Sequence, residues 1–593
     1  MMSLTAWLWN QYSDDLAALA KEGVKQLWQR IHWEETAQRY REKVIDRYGY
    51  TRVLGQPKPI PLERIFTDLL ILDRPTAQRR YEPKSLAESF AAREEPRWEG
   101  KRIHALQLIT QPESQRLFIL GKPGAGKTTL LRYVALQAAK GKLDKVPIMV
   151  TLRDWRVKEQ PLLDFIAREF DICAFPDARP FVERLLKGGQ AIVLFDGLDE
   201  VPMAEGQRLE VVRQLRDFAD QYPSQCLITC RIAASDYVFE RFTYVELADF
   251  TEAQMKAYAK QWFADDPQKG DLFIEELFGK KEHAGLREMG RNPILLTLLC
   301  LTFDETMGFP QRRVEIYEEA LEALLKKWDA SRRIRRDEVY RGLSLGRKRQ
   351  MFARIAAEAF DEGKYVFLQE ELAGLIAAFL RRLPGEQAAD EETGEAVLRA
   401  IVAQHGIFIE QAHRLYTFAH LTFQEYFTAR YITRNAASGT LHSLMAHIDD
   451  DRWREVFLLT AGMLDEAEPF FTAFQAALDR MVAGDEKLIA LLRWTAKKAK
   501  AAGGAYKPAA LRALSLVLHL SRNLDYKYAV ALNLNLALDL DLAPDHVWDL
   551  DSAQAETLQR YIAGHELLLD CLAQASVENR AAIEARMLLP PTP

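Results

Sequence analysis

One eight-residue stretch constrains the fold of this chain more than any other. It runs from Gly121 to Thr128 and reads Gly-Lys-Pro-Gly-Ala-Gly-Lys-Thr. Every fixed position agrees with the phosphate-binding pattern G-x-x-x-x-G-K-[ST]. The apolar run Leu117–Leu120 precedes it and a leucine-rich helical pattern follows, so the strand, turn and helix that the pattern requires are present. Glycines let backbone N–H groups converge on phosphate oxygens beside a helix N-terminus. The stretch therefore predicts a nucleotide site in an α/β domain.

The same loop predicts which atoms hold the nucleotide. The Lys127 ammonium should reach the β- and γ-phosphates, and the Thr128 hydroxyl should ligate Mg²⁺. The predicted nucleotide contacts in the loop and its helix are Gly121, Pro123, Gly124, Ala125, Gly126, Lys127, Thr128 and Thr129. The pattern does not distinguish ATP from GTP.

A second apolar run, Ile192–Phe195, ends in Asp196. In phosphate-loop enzymes Mg²⁺ needs a carboxylate at the end of a neighbouring strand. Asp196 is therefore the predicted metal ligand, together with Thr128. Asp199 and Glu200 follow at once, and either carboxylate could position the attacking water. The residues leave these two open, with a slight preference for Glu200.

A third apolar run, Cys226–Cys230, ends in Arg231. A cation at the end of a strand beside the γ-phosphate could sense whether that phosphate is present. The predicted catalytic set is therefore Lys127, Asp199, Glu200 and Arg231.

Composition limits the class of protein. A chain of 593 residues with 48% hydrophobic and 28% charged residues predicts several globular domains. The net charge of −6 provides no general attraction for nucleic acid or membranes. None of the five cysteines forms a C-x-x-C pair, which argues against a zinc ribbon or a disulfide framework. The longest apolar run, Ile294 to Phe303, is about half a membrane span, and the N-terminus lacks a signal-peptide pattern. We therefore expect a cytoplasmic protein with no membrane span.

Hydrophobic periodicity divides the chain into five regions. The spacing predicts helices over 4–47, and the proline-rich connector at 55–61 ends them. Apolar strand candidates then alternate with amphipathic segments, which indicates a mostly parallel sheet. Later strand signals are confined to one hairpin-like piece at 406–418, within an otherwise helical pattern. The predicted regions are an N-terminal helical region (1–60), an α/β nucleotide-binding core (61–245), a helical domain (246–305), a winged-helix domain (306–438) and an all-α C-terminal domain (439–593). In the last of these, the leucines of 532–542 alternate with a period of two, as in a strand. Leu and Ala favour a helix and Asn and Asp are depleted from strands, so the composition favours a buried helix.

Several motifs together resemble one family. Asp196-Gly197-Leu198-Asp199-Glu200 resembles the Walker B motif of NACHT NTPases, a branch of the STAND ATPases that is related to AAA+ proteins. Thr229-Cys230-Arg231 resembles their sensor 1 element, usually Thr-Ser-Arg, and the departure at Cys230 leaves the arginine in place. Asn292-Pro293-Ile294-Leu295-Leu296 resembles the helical-domain motif. The segment from Phe418 to Phe427, Phe-Ala-His-Leu-Thr-Phe-Gln-Glu-Tyr-Phe, resembles the winged-helix motif. The resemblance covers roughly residues 60–460.

The resemblance implies that Pro293 packs on the adenine and that His420 touches the β-phosphate of bound ADP. It implies an AAA+-like P-loop NTPase fold and a slow ATPase acting as a switch, off with ADP and on with ATP. It also implies a homo-oligomer in the active state. The C-terminal part is similar to that of short bacterial NACHT proteins, several of which act in defence against phage. Bacterial innate immunity is therefore the expected setting. The sequence names neither the trigger, for which a phage product is one candidate, nor the effector partner.

Two other functions stay open at this point. A continuously cycling AAA+-like remodelling ATPase would share the nucleotide chemistry, but it needs an arginine finger from a neighbour that the sequence does not reveal. A winged-helix nucleic-acid-binding regulator could use the basic clusters at 332–336 and 497–500. Most such clusters are solvated faces, so nucleic acid is disfavoured as a partner without being excluded. Retained ADP and slow turnover would favour the switch.

Overall fold

The computed structural model describes residues 38–51, 59–73, 75, 83–93, 101–155, 160–171, 178–201, 207–231, 239–280, 283–309, 313–322, 343–384, 389–404, 406–502, 507–520, 548 and 550–591. These residues fall into two compact units. The first unit comprises the residues up to 309 together with 319–348 and 363–423. The second comprises 310–318, 349–362 and the residues from 424 onward. Most of the predicted N-terminal helices (1–37), the leucine-rich segment 532–542 and the basic cluster 332–336 lie outside the described residues.

The strands belong to the first unit. Their bounds are β1 (Tyr50–Thr51), β2 (Ile60–Pro61), β3 (Leu70–Leu72), β4 (Arg102–His104), β5 (Arg116–Gly121), β6 (Val146–Thr151), β7 (Ala191–Asp196), β8 (Gln225–Arg231), β9 (Thr243–Leu247), β10 (Phe367–Leu368), β11 (Phe408–Ala412) and β12 (Leu415–Phe418). Among the described residues, seven of them form one sheet in the order β4-β3-β9-β5-β8-β7-β6. Strands β9, β5, β8, β7 and β6 run parallel, whereas β3 pairs antiparallel with both β9 and the edge strand β4. The prediction of a mostly parallel sheet is confirmed.

Strands β5, β7 and β8 contain the three apolar runs Leu117–Leu120, Ile192–Phe195 and Cys226–Cys230. Every residue of β7 and β8 is buried, as expected for strands covered on both faces. Strands β3, β4 and β9 were missed by the periodicity analysis. Two of them have three residues each, and β9 (Thr243–Leu247) is interrupted by Glu246, so none presents a long apolar run.

Register brings the predicted site residues to one edge of the sheet. Gly121 at the end of β5 pairs with Arg231 at the end of β8. Asp196 ends the neighbouring β7, opposite Thr151. Because parallel strands place their carboxyl ends on the same side, the sheet gathers the phosphate loop, the acidic motif and Arg231 there.

The helices of the first unit flank the sheet in sequence and then form the helical and winged-helix regions. They span 38–48, Leu62–Ile65, Pro83–Ala91, Ala105–Ile109, Lys127–Ala139, Leu162–Asp171, Ala178–Lys187, Gln207–Gln221, Glu252–Trp262, Pro267–Gly279, Ala284–Gly290, Pro293–Thr306, Gln369–Leu380 and Glu391–Gln404. The helix Glu252–Trp262 begins with a capping box, in which Thr251 and Gln254 satisfy each other's backbone N–H groups. Trp262 lies in the core, where it stacks on Tyr258.

The hairpin expected near residues 406–418 is present. Strands β11 and β12 pair antiparallel, and β10 joins β12, giving a small three-stranded sheet. Gly406 precedes β11 with a φ of +62°, a left-handed conformation that favours glycine. Helices Arg313–Glu322, Leu345–Asp361 and Leu421–Arg434 each contribute residues to both units.

The regular elements described in the second unit are helical, as expected for an all-α C-terminal part. They span Thr440–Leu444, Arg454–Met463, Glu468–Val482, Glu486–Ala502, Pro508–Leu520, Ser552–Gln574 and Arg580–Arg586. The longest of them buries Leu558, Tyr561, His565 and Leu568 among its core positions. Asp551 and Gln554 form a capping box at its start.

Candidate nucleotide-binding site

The glycine-rich loop connects β5 to the helix Lys127–Ala139. Gly124 and Gly126 have φ angles of +79° and +92°, so both need the left-handed freedom of glycine. A Cβ at Gly124 would lie 2.5 Å from Cγ2 of Ile294 and 2.8 Å from Oδ1 of Asn292. The loop thus has the backbone shape that cradles phosphates, and the helical region that follows the core packs directly against it.

Lys127 and Thr128, the two side chains that the motif predicts to act, open the helix. Nζ of Lys127 donates to the carbonyl oxygens of Gly121 (2.6 Å) and Lys122 (3.0 Å). The Thr128 hydroxyl donates to Oδ1 of Asp196 at 3.1 Å. The structure therefore brings Thr128 together with the carboxylate predicted to share its metal ion.

Thr229 is a site residue that the sequence analysis did not single out. Its hydroxyl donates to Oδ1 of Asp196 (2.8 Å) and accepts from the backbone N–H of Gly197 (2.9 Å). Thr229 is fully buried on β8, beside the strand that ends in Asp196. The available signal was its place in the Thr-Cys-Arg motif, of which only Arg231 was assigned a role.

The two carboxylates that the sequence left open have different partners. Asp199 and Arg231 form a buried ion pair with Nε 3.0 Å from Oδ2, and Oδ1 of Asp199 also accepts the backbone N–H of Arg231 at 3.2 Å. Glu200 has Oε2 3.5 Å from Nη1 of Arg153, whose side chain is 39% exposed. Asp199 therefore holds both the backbone and the side chain of Arg231, whereas Glu200 has a looser cationic neighbour.

Asn292, another residue missed as a site candidate, ties the helical region to the phosphate loop. Its Nδ2 donates to the carbonyl oxygen of Pro123 at 3.1 Å, and its Oδ1 accepts the N–H of Ile294 at 3.1 Å. Pro293 is the first residue of the helix Pro293–Thr306, where its missing N–H costs nothing. Local helix-start chemistry thus explains why an asparagine and a proline stand side by side here.

His420 is buried, at 8% exposure, in a pocket on the side of the loop that faces the winged-helix hairpin. Lys122, Pro123, Asp249 and Asn292 also line this pocket. Gly406 touches the loop from the hairpin side, since a Cβ there would lie 2.8 Å from Cγ of Pro123. The structure therefore places His420 near the second and third residues of the phosphate loop.

Two partly buried ion pairs flank His420. Nζ of Lys122 lies 2.5 Å from Oδ2 of Asp249, and Arg93 pairs with Glu288, whose Oε1 is 3.9 Å from Nδ1 of His420. Burial lowers the pKa of His420, and the opposing effects of Glu288 and Asp249 do not restore it, so the imidazole is neutral at pH 7. Burial alone would raise the pKa of Asp249 and of Glu288, but Lys122 and Arg93 respectively hold each carboxyl below its usual value.

The donor set suits Mg²⁺. In the described residues, no three His, Cys, Asp or Glu side chains are placed to hold a metal ion by themselves. Magnesium in phosphate-loop sites takes one hydroxyl, one carboxylate, waters and phosphate oxygens. The Thr128 hydroxyl and the Asp196 carboxylate are hard oxygen donors already within 3.1 Å of each other. These two residues therefore fit the ion that the loop implies.

Three family models match the chain. Residues 115–266 match the NACHT domain, residues 313–432 match the winged helix-turn-helix domain C-terminal to NACHT, and residues 529–590 match the NACHT C-terminal helical domain 2. The expected NACHT and winged-helix modules are confirmed. Within the described ranges, no helix combines the length and apolar character needed to cross a lipid bilayer.

Curated relatives resemble part of the chain. "NACHT, LRR and PYD domains-containing protein 3" of Rattus norvegicus is 26% identical over 364 residues, which is 55% of this chain and 32% of that protein. "Protein NLRC5" of Mus musculus is 22% identical over 336 residues, 53% of this chain and 16% of that protein. The chain thus spans about a third or less of the length of these relatives.

Among solved structures, a STAND protein with a tetratricopeptide repeat sensor from Pyrococcus horikoshii aligns with a TM-score of 0.22 and 13% identity. The alignment covers 81% of this chain and 68% of that one. Cdc6p of Pyrobaculum aerophilum aligns with a TM-score of 0.24 and 12% identity, covering 59% of this chain and 93% of that one.

Proposed function

We propose that this chain, which carries a NACHT domain and a winged-helix domain, is a slow ATPase serving as a nucleotide-dependent switch. ADP would hold it off, and ATP with Mg²⁺ would turn it on and promote a homo-oligomer. The observation that carries the proposal is the pocket around His420. A winged-helix histidine and the turn at Gly406 both lie against Lys122 and Pro123 of the phosphate loop. A nucleotide in the loop would therefore contact the module that has to move.

The residues have distinct roles in this proposal. Lys127 exchanges its bonds to loop carbonyls for the phosphates, as its flexible stem permits. Thr128 and Asp196 hold Mg²⁺, which neutralises charge on the β- and γ-phosphates. Glu200 orients the attacking water. Asp199 contacts both Nε and the backbone N–H of Arg231. Its role in the proposal is therefore to position the Arg231 side chain towards the γ-phosphate.

The resting state follows from charge. His420 is neutral and buried beside the loop, so it can donate one hydrogen bond to a diphosphate. The negative diphosphate would raise the pKa of His420 and strengthen the contact. The γ-phosphate would draw Arg231 and Lys127 towards itself and disfavour the closed arrangement. Changing a population from nearly closed to nearly open takes about 5 kcal/mol of differential binding, which oligomer contacts and a trigger would share with ATP.

The bound nucleotide and the mass of the purified protein test the proposal. We expect ADP to copurify, ATP turnover to be slow, and ATP with Mg²⁺ to increase the mass in light scattering. Lys127→Ala should remove both the nucleotide and the mass change. The matched control is Lys140→Ala at the other end of the same helix, where Lys140 pairs with Glu63 at the surface.

The proposal fails if Lys127→Ala retains nucleotide, or if wild-type protein carries none and turns over ATP rapidly as a cycling remodeller would. By analogy with short bacterial NACHT proteins, we propose defence against phage as the setting, with an unnamed trigger. The same two lysine variants tested in a plaque assay extend the experiment, and only Lys140→Ala should protect like wild type.

A further inference from the structure

Glu288 is placed to hold the start of the winged-helix motif. It lies on the helix Ala284–Gly290, and only 11% of its side chain is exposed. Oε1 accepts the backbone N–H of Leu421 at 2.8 Å, and Oε2 accepts the Thr422 hydroxyl at 3.1 Å. Leu421 begins the helix that immediately follows His420. The N–H group of Leu421 is at the start of its helix, so no carbonyl group of that helix can accept its hydrogen bond. The Glu288 carboxylate, from the helical region, accepts it instead.

Arg93 supplies the counter-charge from a third part of the chain. Nη1 of Arg93 donates to Oε2 of Glu288 and, at 2.8 Å, to the Thr422 hydroxyl. The arginine side chain is 21% exposed, so the pair is shielded from solvent. Three segments far apart in sequence therefore meet within one turn of His420.

The helix that presents Arg93 packs on the winged-helix hairpin. This helix, Pro83–Ala91, lies between β3 and β4, which pair with each other at the edge of the large sheet. Its Leu86 packs in a buried cluster with Ala412 and Leu415 of the hairpin. Phe90 contacts Tyr365 at a centroid distance of 6.2 Å. The chain thus leaves the sheet edge, binds the winged-helix hairpin through an apolar face, and returns to the sheet. We call the helix and Arg93 together the strap (83–93).

We propose that Glu288 and the strap form a latch that keeps the His420 turn closed over the phosphate loop. Glu288 is a positioning residue in this proposal: it holds Leu421 and Thr422, and through them His420. Arg93 fixes Glu288, and Leu86 anchors the strap to the hairpin. The proposal rests on the proposed function, since it specifies what keeps the off state closed.

The latch predicts that the strap, which lies between β3 and β4 in the chain, controls nucleotide release. If the winged-helix hairpin moves away from the core on activation, the strap must either leave the hairpin or break the pair between Arg93 and Glu288. A partner that pulls the strap from the hairpin would therefore release His420 without touching the nucleotide.

The rate of ADP dissociation from the full chain, measured with a fluorescent ADP analogue, tests the latch. Glu288→Ala removes both the acceptor and the charge, and should speed dissociation by about tenfold or more. Glu288→Gln keeps the shape and one acceptor oxygen but loses the charge and replaces the other oxygen with an NH2 donor, so it should fall between wild type and Glu288→Ala. Arg93→Ala should act in the same direction, and should add little in the Glu288→Ala background because both residues act through one contact.

Arg414→Ala is the matched control. Arg414, like Arg93, has a left-handed backbone (φ +59° against +55°) and pairs with a glutamate, but its partner Glu370 is half exposed. It should leave the dissociation rate unchanged. His420→Ala tests whether Glu288 acts through His420, because Glu288→Ala should then have no further effect on the dissociation rate in the His420→Ala background.

Three results would overturn the latch. One is wild-type dissociation rates in both Glu288→Gln and Arg93→Ala. Another is additive effects of Arg93→Ala and Glu288→Ala, and the third is an equal effect of Arg414→Ala. These outcomes differ from failure of the switch itself, in which wild-type protein holds no ADP. Equal melting temperatures for Glu288→Gln and wild type, measured alongside, would assign a faster rate to positioning and not to loss of folding.

Discussion

Gly406→Ala should open the switch by adding a single methyl group. The residue has a φ of +62°, and a Cβ at this position would lie 2.8 and 2.9 Å from Cγ and Cδ of Pro123 in the phosphate loop. Carbon atoms in contact normally lie about 3.5–4.0 Å apart. The hairpin turn and the loop must therefore separate, and Pro123 has little room to retreat because its carbonyl oxygen is held by Asn292.

The size of the effect follows from which state contains the clash. The cost of a left-handed alanine, about 1–2 kcal/mol, belongs to the turn itself and is present in both the closed and the open state. Overpacking against Pro123 costs about 1–3 kcal/mol and exists only in the closed state. A difference of that size shifts the equilibrium towards the open state by about 5- to 150-fold. Bound ADP after purification and the dissociation rate of a fluorescent ADP analogue report this shift.

Gly141→Ala is the control for backbone strain. Gly141 has a φ of +73°, but a Cβ there meets no atom within 4 Å. We expect Gly141→Ala to lower the melting temperature slightly and to keep ADP, whereas Gly406→Ala should lose ADP and form the larger species at lower ATP concentration. If the two variants retained ADP equally, contact between the hairpin and the loop would not control the nucleotide, and the reasoning would be wrong.

Two further predictions concern carboxylates and a buried histidine. Glu200→Gln should lower ATP turnover by about 10²–10⁴-fold with little change in melting temperature. Asp199→Ala should destabilise the fold by about 3–5 kcal/mol, because it removes one partner of a buried ion pair. Turnover and melting temperature should be measured for both variants. Equal melting temperatures for Glu200→Gln and Asp199→Ala would contradict this division of roles. In the C-terminal unit, burial lowers the pKa of His565 to about 4, and its Nε2 accepts the N–H of Leu588 at 3.1 Å. The pKa of His565 in the folded state lies below the unfolded value of about 6.5, so its full contribution to folding stability is present above pH 6.5. As the pH falls to 4, the free energy of unfolding should decrease by about 3 kcal/mol. Hydrogen exchange of the Leu588 peptide, corrected for intrinsic rates, should show this loss in wild type and not in His565→Gln.

Local sequence determined the elements that depend on neighbouring residues. The phosphate loop, the strands β5, β7 and β8 and the helix that Asn292 caps follow from glycine conformations, apolar runs and helix capping. Each acts within about ten residues, where backbone geometry leaves few choices. The edge strands β3 and β4 did not follow, since three residues present no period and acquire their structure by pairing.

Within the candidate site, the motifs named most of the residues and the tertiary structure assigned their partners. Asp199 and Glu200 are adjacent acids that the sequence could not separate. Only the position of Arg231 at the end of β8 makes Asp199 its partner. Thr229 was hidden in the same way, because its hydroxyl matters through a carboxylate on another strand.

The sequence by itself determined that a nucleotide site exists in this chain, because the atoms that cradle phosphates come from eight consecutive residues. Only the tertiary structure decided what surrounds that site. Arg93, Glu288 and Thr422 are separated by up to 329 positions yet share hydrogen bonds. Long-range polar contacts of this kind leave no periodic trace, because each partner is an ordinary residue until folding brings them together.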